Sequence, residues 1–252
     1  MDLNEKQVLM RPITPEDDKL VKFVVGKATM ESLATANNRV YMNPLAIGIW
    51  LALTGIFIEY MHWWPTKENG ILGYLKPVPA LAAMAVPLMF LADWINRPYF
   101  DRQVQEVLRY PDMHNPSGYY SRSPASGFWI LEYGGRFVGL ISLDASPEVK
   151  PETSTDKSPS ALIRHFYVDE PYRGSGIQDD LLAFAVKHAF DRDTSLEVIR
   201  APDSPLKLYA RKSLVAAGFV LEDFTETVGI LGWKLGTRIL KRKDWERRQL
   251  SK

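Results

Sequence analysis

The stretch YRGSGIQDD, Tyr172 to Asp180, holds an arginine and two glycines directly ahead of an apolar-periodic run. A glycine turn opening a helix leaves backbone N–H groups unpaired at the helix start, and the helix dipole favours negative charge there. Gly174 and Gly176 have no side chain to keep an anion away, and Arg173 can add a charge-assisted contact. The chemistry this spacing suits is phosphate or pyrophosphate binding. A tight structural turn of the same composition remains open as the other reading. The stretch is not a P-loop, since no Gly-Lys-Ser or Gly-Lys-Thr completes it. Asp179 and Asp180 suit the helix start but would repel phosphate if they turned toward it.

Several chemistries are excluded by composition. The chain has no cysteine, which removes disulfides, thiolate metal sites and a cysteine nucleophile. Its 31 Lys plus Arg against 30 Asp plus Glu give a net charge of +1, too balanced for electrostatic capture of nucleic acid. Four dispersed histidines show no metal-ligand spacing, so no metal is expected. MDLNEKQVLMRP lacks the basic and apolar regions of a secretion leader.

The elements that must position the turn follow from periodicity. VLMRPI reads as a strand, and Thr14, Pro15 and the acids after them open a helix carrying Leu20, Val21, Phe23 and Val24. GFWILEYGGRFVGLISL reads as two strands joined at Tyr133 to Arg136. Residues 144–160 read as a mobile polar loop. ALIRHFYV is a strand feeding the glycine turn, and IQDDLLAFAVKHAF is a helix packed through Leu181, Leu182, Ala185, Val186 and Ala189. LEVIRA, SPLKLYARKSLVAA and FVLEDF add a strand, a helix and a strand, with a last strand within 226–240. PDMHNPSGYYSRSPASG reads as loop, and the tail KRKDWERRQLSK as a solvated basic face or a lipid-headgroup contact. The sum is an α+β domain around a mostly antiparallel sheet.

Between Asn43 and Arg97 the composition changes. Leu45 to Ile58 and Pro77 to Ala92 carry no charge, and Trp63, Trp64, Tyr74, Lys76 and Trp94 flank them. A spanning helix needs about 20 apolar residues, with aromatics and a snorkelling lysine at its ends. The expectation is a transmembrane or re-entrant helical hairpin at 43–96, inserted between a first strand and helix at 1–42 and the remaining domain at 97–252. Two buried helices of a soluble core are the rival. Pro87 falls within the second stretch and is expected to kink it. Lys27 and Arg39 before the insertion, with Arg97, Arg102 and Arg109 after it, favour both termini on the cytoplasmic side.

The element order from residue 128, with MRPITPEDD near the start and RHFYVDEPYRGSGIQ ahead of the long helix, resembles the GNAT acetyltransferase superfamily. The family's R/Q-x-x-G-x-G/A turn aligns with Arg173, Gly176 and Gln178, and Gln178 stands where the family has glycine or alanine. With its inserted hairpin the chain resembles the camello-like membrane-bound branch, which includes cysteine-conjugate N-acetyltransferases. The resemblance implies a GNAT-like fold with a partly splayed central sheet and acetyl-CoA as acyl donor. Arg173, Gly174, Ser175, Gly176, Ile177 and Gln178 would hold the pyrophosphate, and Phe166, Tyr167 and Val168 would line the pantetheine arm.

It further implies direct attack by a primary amine, with a base to take its proton and an acid for the departing thiolate. The family's tyrosine in L-Y-x-x-x-G-F falls on Leu214, so Tyr209 is the candidate acid, although it lies about 140° away around a regular helix. Glu132 and His165 are the candidate bases. The expected partners are acetyl-CoA, an amine acceptor and a lipid bilayer, and the expected location is the endoplasmic reticulum or another endomembrane. A CoA- or protein-binding membrane module of weak activity and a structural hairpin protein are the alternatives.

Overall fold

The computed structural model describes residues 8–65, 73–146 and 159–250. Seven strands form one sheet in the order β1-β2-β3-β4-β5-β7-β6. They are β1 Val8–Pro12, β2 Gly127–Tyr133, β3 Arg136–Asp144, β4 Ser160–Val168, β5 Val198–Asp203, β6 Val220–Val228 and β7 Trp233–Lys241. The helices are α1 Asp18–Tyr41, α2 Pro44–Met61, α3 Val78–Arg109, α4 Pro111–His114, α5 Pro116–Tyr120, α6 Ile177–Arg192, α7 Leu208–Ala217 and α8 Arg242–Leu250. The β1/β2, β2/β3, β3/β4 and β5/β7 pairs are antiparallel, and β4/β5 is parallel. Crossing from β4 to a parallel neighbour requires a long connection, which α6 supplies.

Local chemistry accounts for the junctions. The β2/β3 turn is made by Gly134 and Gly135, both at positive φ (57° and 73°), as a two-residue hairpin loop with right-handed strand twist demands. Ahead of α1, Asp17 accepts from the Thr14 N–H at 2.8 Å and its hydroxyl at 2.9 Å. Asp17 also takes a two-pronged ion pair from Arg11 at 2.7 and 2.9 Å, tying β1 to the helix entry. That guanidinium, with the Thr14 bonds, holds the Asp17 carboxyl well below its ordinary value of 3.8 against the opposing pull of burial.

Two compact units emerge, one of Met1–Ala28, Val104–Thr227 and Trp233–Lys252, the other of Thr29–Gln103 and Val228–Gly232. In the first, the sheet has a core on each face. Leu181, Leu182, Ala185, Val186, Ala189 and Phe190 of α6 pack with Ile141, Ile163, Val168, Ile199 and Leu240 on one face. Val21, Val24 and Val25 of α1 pack with Met113, Tyr120, Phe128, Ile130, Leu140 and Tyr167 on the other. The tail expected to be solvated is α8, whose Trp245 ring lies 5.0 Å from that of Phe190 and whose Arg248 donates to the Ala216 carbonyl. PDMHNPSGYY, expected as loop, forms the short helices α4 and α5, each with proline in its first turn.

In the second unit α2 and α3 are long and apolar enough to cross a membrane. Only Thr54 and Ile58 of α2 are buried. The Trp50 indole donates to the Leu81 carbonyl at 3.0 Å. Asn96, fully buried, donates to Asn37 at 2.8 Å and accepts from the Ile230 N–H at 2.9 Å, while Asn37 donates to Asp93 at 2.7 Å. Helix α3 continues through Pro87 and Pro98. Within the polar segment expected at 144–160, residues 147–158 lie outside the described residues, as do residues 66–72 of the expected hairpin at 43–96.

Candidate active site

The centre of the site is a parting of two strands. Strands β4 and β5 pair only at Ser160↔Val198, Ala161↔Ile199 and Leu162↔Arg200. Beyond that point β4 stays paired to β3 as far as Gly139↔Val168, and β5 to β7 as far as Asp203↔Gly236. Past Leu162 the main chain of β4 thus runs without β5 as a strand partner. Just past the last pair, Ser142 faces His165 while Leu143 faces Ile163, so Arg164 is an extra residue and β4 exchanges faces there. Ile163 and Val168 join the α6-side core, whereas Tyr167 joins the α1-side core.

At the open end of this wedge β4 runs through a single 3-10 turn, Glu170–Tyr172, into the glycines. Ser175 is spoken for: its N–H and hydroxyl both donate to the Tyr172 carbonyl, at 3.2 and 2.7 Å. Gly176 stands at the head of α6 with φ 83°, a conformation costly for any residue with a side chain, and no side chain caps the helix. A Cβ built on Gly174 or Gly176 would meet nothing within 4 Å, so the space beside the uncapped helix start is open. Asp179 and Asp180 are exposed. Ile177 and Gln178 are half-buried, and the Gln178 Oε1 is buried without a hydrogen-bond partner. An open, uncapped helix start with glycine on its approach fits a diphosphate group.

Arg173 lies at this turn but is turned inward. Its Nε donates to the Val168 carbonyl at 2.7 Å, and its guanidinium carbon lies 4.2 Å from the centre of the Tyr209 ring. Tyr209, near the start of α7, places its hydroxyl 3.4 Å from the Phe166 carbonyl and its ring edge-on to Phe166 at 6.3 Å. Phe166, Arg173 and Tyr209 are therefore brought together where β4 has parted from β5. Leu214 is in the core at 2% exposure.

The two candidate bases lie apart from that group. Glu132, on β2, accepts from Arg11 Nε and Nη2 at 3.1 and 2.7 Å. His165 is buried, with Nε2 2.8 Å from Asp112 Oδ2 and its ring stacked on Phe128 at 6.0 Å. Asp112 also accepts from the Tyr120 hydroxyl at 2.8 Å, and its Oδ1 is buried without a partner. Burial raises the Asp112 carboxyl, but the hydrogen bond and charge of His165 and the Tyr120 hydroxyl prevail and hold it below 3.8. Burial pushes the Tyr120 phenol well above 10.0.

A second buried carboxylate, Asp144, accepts from Ser146, Tyr119 and Arg164. Sequence reasoning missed Asp112, Asp144, Tyr119 and Arg164. The available signal was the acid after Pro111, in the first-turn position of a short helix. Among the described residues no three metal-ligating side chains gather.

A parallel pair that opens into a wedge, a bulge at its apex and a glycine turn feeding a helix are accompanied by a direct match: residues 88–212 fit the family model described as Acetyltransferase (GNAT) family. The chain carries a GNAT acetyltransferase domain. The matched span begins within α3 and runs to Lys212 in α7, so it includes β4, the turn and Tyr209. Acetyl-CoA is the acyl donor of this family, and acetyl-CoA-dependent N-acetyl transfer is the activity class of the domain.

Over 223 residues the chain is 22% identical to N-acetylaspartate synthetase of Xenopus tropicalis, covering 86% of this chain and 71% of that protein. Among solved structures, a GNAT-family acetyltransferase of Streptococcus pneumoniae aligns at 11% identity and TM-score 0.48, covering 93% of this chain and 99% of that one. The spermidine N-acetyltransferase of Vibrio cholerae in complex with CoA and spermine aligns at 12% identity and TM-score 0.46, covering 95% and 98%.

Proposed function

We propose that this chain is a membrane-anchored N-acetyltransferase that moves acetyl from acetyl-CoA to a primary amine of a small or membrane-proximal acceptor by direct attack. The observation that carries the reading is the wedge: β4 parts from β5 after Leu162, and a phenol lies 3.4 Å from the Phe166 carbonyl within it. In this reading the turn from Arg173 to Gln178 holds the diphosphate through the main-chain N–H groups of Gly174, Gly176, Ile177 and Gln178, and Phe166, Tyr167 and Val168 line the arm. The amine nitrogen attacks the thioester carbonyl carbon, and N–H groups stabilise charge on its oxygen. The C–S bond breaks, the thiolate takes the Tyr209 proton, and the amine's proton leaves through a base or a water chain. The candidate bases are His165, hydrogen-bonded to Asp112, and Glu132, hydrogen-bonded to Arg11.

Anchoring is supported by the length and apolar character of α2 and α3, whose apolar windows are each only 11% buried. The basic residues flanking the insertion favour a cytoplasmic placement for both termini and the GNAT domain, on the endoplasmic reticulum or another endomembrane. The relative's name, N-acetylaspartate synthetase, supports a small amine as acceptor.

Release of free CoA thiol from acetyl-CoA across a panel of primary amines tests the reaction, and alkaline carbonate extraction of membranes tests the anchor. Acceptor-dependent thiol release and retention in the carbonate pellet are expected. Gln178, in place of a small residue, favours a second reading as a CoA-binding module without turnover; acetyl-CoA binding with no thiol release for any amine would select it.

A further inference from the structure

The arginine that the turn offers as a phosphate contact is committed to a different task. Its Nε is bonded at 2.7 Å to the carbonyl of Val168, the last residue of β4, which anchors the root of the guanidinium to the strand. From there the guanidinium carbon lies 4.2 Å from the ring centre of Tyr209 and 5.5 Å from that of Tyr167. Tyr209 also meets Phe166, ring edge-on at 6.3 Å, with its hydroxyl 3.4 Å from the Phe166 carbonyl. One strand thus fixes both partners of the stack, Arg173 through Val168 and Tyr209 through Phe166.

We infer that Arg173 is a positioning residue for Tyr209, holding the phenol beside the Phe166 carbonyl of β4, and that diphosphate affinity comes from main-chain N–H groups at the head of α6. This rests on the reading of Tyr209 as the acid. The stack suits that task in two respects. A planar guanidinium covers a ring face and donates in its own plane at once, which an ammonium cannot do. A fixed positive charge beside the phenol also stabilises negative charge developing on its oxygen while the proton passes to the departing thiolate. In the step served, the Tyr209 O–H bond breaks as the CoA S–H bond forms, and the phenolate regains a proton from solvent after product leaves.

The experiment uses the full chain with Arg173→Ala, Arg173→Lys, Tyr209→Phe and the double variant Arg173→Ala/Tyr209→Phe. Calorimetric affinity for CoA, which needs no turnover, is measured beside kcat with acetyl-CoA and the best amine of the panel. The expected result is CoA affinity within about threefold of the parent for both Arg173 variants. Each should lose at least about tenfold in kcat, the minimum for a misplaced proton donor. Lysine should not rescue, and the double variant should be no slower than Tyr209→Phe alone, because the two side chains act as one unit.

CoA affinity weakened about tenfold by Arg173→Ala and restored by Arg173→Lys, with kcat retained, would mark Arg173 as the phosphate contact and overturn the inference, since lysine still serves phosphate as a point charge. A double variant slowed by the product of the single losses would overturn it too, leaving Tyr209 as the acid. Full kcat in Tyr209→Phe removes the acid assignment and the positioning role with it. Should Arg173→Ala fail to fold, the Arg173→Lys affinity and kcat decide the question alone.

Discussion

Helices α2 and α6 are similar in length, 18 and 16 residues, and both are rich in apolar side chains, yet they place them oppositely. Helix α6 gathers Leu181, Leu182, Ala185, Val186, Ala189 and Phe190 into one buried stripe. Helix α2 buries Thr54 and Ile58 and leaves Leu45, Ile56 and Tyr60 exposed at 73%, 67% and 77%. A stripe names the face that packs within the chain, whereas an all-round apolar helix with little buried surface finds its partner elsewhere. The difference separates the half of the molecule that holds chemistry in place from the half proposed to hold the molecule in a bilayer.

The sharpest way to break this comparison is to delete the same kind of side chain from each helix. Phe190→Ala should cost about 3–5 kcal/mol of stability in a denaturant or thermal melt, because it opens a cavity in a core that cannot collapse fully. Ile56→Ala should stay within about 0.5 kcal/mol, as surface substitutions do. Comparable losses at both positions would show that α2 is a core helix after all. A charge at the same place probes the bilayer itself. Ile56→Arg carries a penalty of about 2.5–3.5 kcal/mol at the centre of a span, so the protein should shift from the carbonate pellet toward the supernatant while still binding CoA. Unchanged pelleting would argue against insertion.

Away from both helices, Asp17→Asn should cost about 1.5–3 kcal/mol at neutral pH, the worth of hydrogen bonds to a charged partner. Asp17 is depressed in the folded protein, so its contribution is present above the ordinary value of 3.8 and is lost as pH falls through the lower folded value. Stability of parent and variant should accordingly begin to converge below about pH 4 and meet only in strong acid, where a persisting gap would contradict the assignment. A modest structural cost is expected at the turn. Gly176→Val forces a branched side chain into φ 83° at about 1–2 kcal/mol and intrudes on the open space, so CoA affinity should fall more steeply than stability. Equal affinity in calorimetry would place the diphosphate elsewhere.

Much of the fold was legible from short-range pattern. Gly134 and Gly135 between two apolar runs could hardly be anything but a hairpin turn, and the 3.6-residue stripe on α6 named its buried face. The glycine turn before α6 was readable as a helix start for the same local reason. The short helices α4 and α5 were not, since their prolines and serines compose loops equally well. His165 and Asp112 are 53 residues apart and meet at 2.8 Å only because β4 and the start of α4 converge on one sheet face. The bulge at Arg164 decides which face His165 takes, since alternation within the strand alone would have placed it on the same face as Ile163.

The sequence by itself determined the order of elements, the glycine approach to α6 and the two apolar helices, because each depends on backbone freedom or on side-chain periodicity within one short segment. Only the tertiary structure decided that β4 and β5 part after Leu162 and Arg200, that Arg173 turns inward onto Tyr209, and that Glu132 is engaged by Arg11. Those outcomes depend on which long side chains from distant segments share a space, and a charged or aromatic group's direction is set by its partners rather than by its place in the chain.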